Sequence, residues 1–99
     1  MSRPKVLSMD EIQERLKQFL GWRIADNILQ KEYIFPKYMD GVTAISKIAI
    51  EAENIDHHPV LELGYKRLLV KTNTHEPKGI TDLDFELVGK IEKLLEKAV

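Results

Sequence analysis

HHPVLELGYKRLLVKTNTH, residues 57–75, decides the fold. Two apolar, β-branched-rich runs, Val60-Leu61-Glu62-Leu63 and Arg67-Leu68-Leu69-Val70-Lys71-Thr72, flank Gly64-Tyr65-Lys66 and read as antiparallel strands of a hairpin. A hairpin that closes near Tyr65 and Lys66 pairs positions whose numbers add to roughly 131 or 132. His57 and His75 meet that condition, so two of the three histidines in the chain are expected at the same end of the hairpin. Imidazole, with an unperturbed pKa of about 6.5, gives and takes protons near neutrality, so a cluster of histidines points to proton-transfer chemistry. Chance proximity of ordinary surface histidines is the plainer alternative.

Upstream, Ser8-Met9-Asp10-Glu11 has the capping-box form and opens a helix with Ile12, Leu16, Phe19 and Leu20 on one side, ended by Gly21. Residues 22–27 and 28–35 read as a strand pair turning at Asp26-Asn27, with Ile24, Tyr33 and Phe35 as packing residues. Pro36 breaks the second strand, and a helix from about Tyr38 or Asp40 to Asn54 carries Val42, Ile45, Ile48, Ala49 and Ala52 at helical spacing. Downstream of the hairpin, Gly79-Ile80-Thr81-Asp82-Leu83-Asp84 leads into a last helix with the apolar stripe Leu87, Val88, Ile91, Leu94, Leu95 and Ala98. The predicted order is αββαββα in a single domain spanning 1–99: an α+β fold with a four-stranded antiparallel sheet and the helices on one face. The other face is left without cover, and a chain this short builds only a thin core, so self-association is expected.

The 43% hydrophobic content fits one compact unit, and a net charge of −1 lacks the basic field that nucleic acid or an anionic membrane demands. No direct nucleic-acid contact and no membrane association are expected. Without cysteine there is neither a disulfide framework nor a thiolate metal site, and Met1-Ser2-Arg3-Pro4-Lys5 lacks a following apolar signal core, so a cytoplasmic location is expected.

Glu53 and His57 are four apart, the spacing of one helical face. A carboxylate there either orients the imidazole or accepts paired hydrogen bonds from an N–H-rich heterocycle; the alternative is a solvated pair at a helix end. Adjacent His57 and His58 point to different sides if extended, and Pro59 holds that corner by biasing His58 away from helix. Three imidazoles raise the question of zinc, but two sequence-adjacent ligands seldom converge on one ion and no further metal motif accompanies them. Thr81-x-x-Asp84 resembles a capping box, giving Asp84 a structural role alongside any functional one. Trp22 reads as a packing aromatic, Tyr65 as a core, interface or ligand-stacking one, and Lys66, Arg67, Lys71 and Lys78 as solvated charges.

The pattern Glu53-x3-His57-His58-Pro59-x5-Tyr65-x9-His75-x8-Asp84 closely resembles the signature of the pterin-4a-carbinolamine dehydratases, also known as dimerisation cofactors of a homeodomain transcription factor. The resemblance extends to Gly21-Trp22, Phe35, Ala49-x-x-Ala52-Glu53, Thr74-His75-Glu76, Gly79 and Thr81. It implies homodimers or homotetramers built through sheet and helices. It also implies dehydration of a 4a-hydroxytetrahydropterin to the quinonoid dihydropterin, without metal or organic cofactor. On that resemblance His57 and His75 are the acid/base pair, His58 assists binding or proton transfer, and Glu53 holds the pterin ring. Asp84, with Pro59 and Thr74, supports the site, Asp84 through His75 or the neighbouring loop. A transcription-factor partner is implied by the resemblance only. The chain departs from the family where Val60-Leu61 replaces an acidic residue and tryptophan, and where Gly41, Val42 and Ala44 replace phenylalanine-rich positions. Alternative readings are a different pterin substrate, such as one in molybdopterin metabolism, a non-catalytic interaction module, and a metal-assisted hydrolase.

Overall fold

The computed structural model describes residues 4–96. Its first helix, α1 (Met9–Leu16), opens on the expected reciprocal cap, in which the Ser8 hydroxyl accepts from the Glu11 amide at 3.1 Å and the Glu11 carboxylate accepts from the Ser8 amide at 2.9 Å. The helix stops short of Gly21. Residues beyond Leu16 tighten into turns with bonds such as Phe19 N–H to Leu16 O, which rotate Leu20 outward to 84% exposure while Phe19 stacks on Phe85. Gly21 then takes φ 88°, and a Cβ there would stand 2.9 Å from Lys31 Cε.

Strands β1 (Arg23–Ala25) and β2 (Ile28–Ile34) turn at Asp26-Asn27, where φ of 54° and 61° supplies the left-handed pair of a two-residue hairpin. Helix α2 (Tyr38–Asn54) follows, then β3 (Val60–Gly64) and β4 (Arg67–Thr72). The antiparallel sheet has the order β1-β2-β4-β3. A further ribbon, β5 (Thr74–His75) with β6 (Lys78–Gly79), precedes α3 (Asp82–Leu95). Two-residue strands are too short to show alternation, which is why this ribbon is absent from the sequence reading.

Alternation sorts the sheet into two faces. Leu29 and Tyr33 of β2 and Leu68 and Val70 of β4 are buried together with Ile48 of α2 and Leu87, Val88 and Ile91 of α3. Helix α2 buries Gly41, Ala44, Ile48 and Ala52; Ala49, expected on the packed face, is exposed because the face runs one position to its side. Gly41 lets the helix come close, since a Cβ there would lie 2.7 Å from Leu63 Cδ1. Ala98 of the expected α3 stripe lies outside the described residues. The helix-free face carries cross-strand charges, Arg67 with Glu32 at 3.2 Å and Lys71 with Glu62 at 2.9 Å. Leu68→Ala is expected to lower unfolding free energy by about 2–5 kcal/mol in urea titration. Lys17→Ala at the exposed pair with Glu14 should change it by under about 0.5 kcal/mol.

Candidate active site

The placement of His57 follows from the way α2 ends. Ile55 caps the helix, Asp56 takes the left-handed conformation at φ 50°, and two bonds close the turn: Asp56 N–H to Glu53 O at 3.2 Å and His57 N–H to Ala52 O at 3.0 Å. This is the Schellman arrangement, with aspartate where glycine is usual. The reversal removes His57 from the helical register, so the Glu53–His57 pairing expected from their spacing does not form. Glu53 Oε1 instead meets His58 Nε2 at 2.5 Å, with both side chains exposed.

His57 turns inward. Its Nε2 lies 2.6 Å from Asp84 Oδ1, and Asp84 is fully buried at the third position of α3. Thr72 Oγ1 donates to the same Oδ1 at 2.7 Å. Oδ2 accepts from Thr74 Oγ1 at 2.7 Å and from the Thr81 amide at 2.9 Å. Burial works to raise the Asp84 pKa, but the bonds from His57, the Thr81 amide, Thr72 and Thr74 outweigh it and hold the carboxyl below the ordinary value. The capping box expected at Thr81-x-x-Asp84 is present, and the same carboxylate binds His57 rather than His75.

His57, His58 and His75 line one cleft of ≈ 330 Å³ at the end of the sheet, together with Asn73, Thr74 and Glu76. Paired residues of β3 and β4 keep the expected register, and their ladder ends at Val60↔Lys71. Beyond it the β5–β6 ribbon carries His75. His57 is buried, whereas His58 and His75 are exposed. Pro59 joins this corner to β3. Tyr65 does not line the cleft; it sits at the opposite end of the hairpin, 74% exposed, and stacks on Tyr38 with centroids 6.4 Å apart. Trp22 packs in the core as expected, and its Nε1–H donates to Glu92. The sequence reading missed Thr72, whose signal was its place in the buried alternation Leu68, Val70, Thr72 of β4. Among the described residues no group of three or more His, Cys, Asp or Glu side chains is arranged to hold a metal ion. None of the helices is long and apolar enough to cross a membrane, again among the described residues.

A larger cleft of ≈ 580 Å³ lies between β2 and α3. Its central carboxylate, Glu92, already accepts from Lys31 at 2.8 Å, Trp22 at 3.2 Å and the Tyr33 hydroxyl. Burial opposes ionisation of Glu92, yet the bond from Lys31, with those from Tyr33 and Trp22, keeps its pKa below the ordinary value. Those groups are committed to each other. The smaller cleft is the one that gathers the imidazoles.

The chain is thus an α+β domain with a histidine-lined cleft at the end of its sheet and one histidine seated on a buried carboxylate. The chain belongs to the pterin-4a-carbinolamine dehydratase family: the family model described as Pterin 4 alpha carbinolamine dehydratase matches residues 5–94. A Sulfurisphaera tokodaii relative, provisionally named a pterin-4-alpha-carbinolamine dehydratase, is 36% identical over 91 residues, covering 92% of this chain and 98% of that protein. A Sulfolobus acidocaldarius relative with the same provisional name is 38% identical over 88 residues, covering 89% and 97%. The crystal structure of a transcriptional coactivator/pterin dehydratase from Brucella melitensis superposes with a TM-score of 0.86 at 27% identity, covering 90% of this chain and 97% of that one.

Proposed function

We propose that this protein dehydrates a 4a-hydroxytetrahydropterin, such as 4a-hydroxytetrahydrobiopterin, to the quinonoid dihydropterin, with His57 and His75 as the acid/base pair. The observation that carries this reading is the meeting of all three histidines on one cleft, with His57 oriented by Asp84. The reaction removes a proton from N5 and expels the C4a hydroxyl as water, so it needs one group to take a proton and another to give one. Two imidazoles suit that exchange near neutral pH, each contributing roughly 10²–10⁴-fold. Exposed Glu53 does not itself line the cleft but pairs with His58, which does, and a carboxylate so placed would accept the paired N–H groups of a pterin ring. The protein acts as a homodimer or homotetramer in the cytoplasm under this reading.

Titration of histidine-¹⁵N-labelled protein with a 7,8-dihydropterin tests the reading without turnover. Saturable shifts of the His57, His58 and His75 ring resonances are expected. Shifts confined to other residues, or none at millimolar ligand, would contradict it. A partner-binding role is the second reading, favoured by the 61% and 62% exposure of Met39 and Ile50 on α2. Partner capture that survives His75→Ala, in a protein without dehydratase activity, would favour it over the first.

A further inference from the structure

The hydrogen bonds around Asp84 can be assigned donor by donor. The Thr81 amide can only donate, so Oδ2 is an acceptor there. Thr81 Oγ1 accepts from the Leu83 amide at 3.3 Å and lies 2.8 Å from Thr74 Oγ1. A consistent set has the Thr81 hydroxyl donating to Thr74 and the Thr74 hydroxyl donating to Oδ2. Thr72 donates to Oδ1. The carboxylate thus receives three protein donors before His57 is counted, and it also sits in the first turn of α3, where the helix dipole favours negative charge. The fourth contact, His57 Nε2 at 2.6 Å, completes two donors on each oxygen when that nitrogen carries its proton.

We infer that the Thr72–Asp84–Thr74–Thr81 network fixes neutral His57 as the Nε2–H tautomer, which makes Nδ1 the atom that accepts the N5 proton and makes Thr72 a positioning residue for that step. This rests on the proposed pterin dehydration and decides which imidazole takes the proton. The competing arrangement is a protonated Asp84 Oδ1 donating to Nε2, with the imidazole proton on Nδ1. It replaces an anion held by three donors and a helix N-terminus with a neutral acid, and the downward shift of Asp84 argues the same way. The step balances. Nδ1 of His57 gains the N5 proton, the N–H electron pair becomes the N5=C4a π bond, and the C4a–O bond breaks. The departing hydroxyl leaves as water with a proton from the imidazolium of His75. Thr72 reaches no reacting atom; it acts by holding Oδ1, and through it the His57 ring, in one orientation.

Long-range ¹H–¹⁵N correlation spectra of the histidine-labelled protein, recorded at alkaline pH where imidazoles are neutral, read the tautomer directly. His57 is expected as the pure Nε2–H form. A proton on Nδ1, or a mixture of forms, would overturn the inference whatever the activity. In parallel, Thr72→Val, which keeps volume but removes one hydrogen bond to a charged group, should lower kcat about tenfold with KM unchanged. Thr72→Ser, which restores the hydroxyl, should recover kcat to within about threefold of wild type. An unchanged kcat in folded Thr72→Val, or a Thr72→Ser no better than valine, would remove Thr72 from the positioning role. A wild type with the Nε2–H tautomer but no pterin dehydration would refute the functional reading, and with it the base role, while leaving the tautomer assignment standing.

Discussion

Alanine at His57 or at His75 is expected to slow dehydration of a 4a-hydroxytetrahydropterin by about 10²–10⁴-fold, the range for removal of a general acid or base. The two losses have different origins. His57 is buried and anchored to Asp84, so its truncation removes a pre-oriented imidazole and also leaves the Oδ1 face of the carboxylate short of a donor. His75 is exposed on the β5–β6 ribbon, so its truncation should leave stability nearly unchanged and act on the rate alone. His58→Ala should cost less, because His58 is exposed and pairs with the solvated Glu53. Stopped-flow decay of freshly generated substrate, corrected for the uncatalysed reaction, separates the three. A His75→Ala protein that keeps wild-type kcat would remove that residue from the chemistry.

Asp84→Ala should be the most destabilising single change at the site, by several kcal/mol, because each buried donor left without an acceptor costs about 1–3 kcal/mol. It strands donors from His57, Thr72, Thr74 and the Thr81 amide at once, and it removes the reciprocal cap of α3. The pH dependence has a definite sign. Because the folded Asp84 titrates below the ordinary carboxylate value, its contribution is present above the unfolded pKa of about 3.9 and disappears as pH falls through the lower folded value. Urea titrations from about pH 7 to about pH 3 should therefore show wild type losing more stability at the acid end than Asp84→Ala. Equal acid sensitivity in the two proteins would mean that Asp84 is not held as an anion.

The elements were legible in the sequence where local chemistry agrees with the global fold. Ser8 with Glu11 and Thr81 with Asp84 mark helix starts that form as capping boxes, and Asp26-Asn27 marks a turn that needs two left-handed residues. The strand runs around Gly64-Tyr65-Lys66 fix a register that sends the histidine-bearing segments to one end of the sheet. Two features escaped for physical reasons. Helical spacing suggested that Glu53 serves His57, but the left-handed Asp56 reverses the chain between them, and aspartate signals such a reversal far less plainly than glycine does. The link from His57 to Asp84, with Thr72 and Thr74, spans up to 27 positions and depends on how α3 packs against β4, which no local pattern encodes. The cluster of histidines was visible as spacing; the carboxylate that orients one of them needed the fold.

A fold of this kind does not by itself fix an activity. Function therefore has to be argued from the cleft and not from the architecture. The most direct test is the stopped-flow decay of 4a-hydroxytetrahydropterin with and without the wild-type protein at neutral pH. Dehydration that accelerates in proportion to protein concentration and saturates with substrate is the predicted result. A folded protein that leaves the uncatalysed rate unchanged at every concentration would contradict the account.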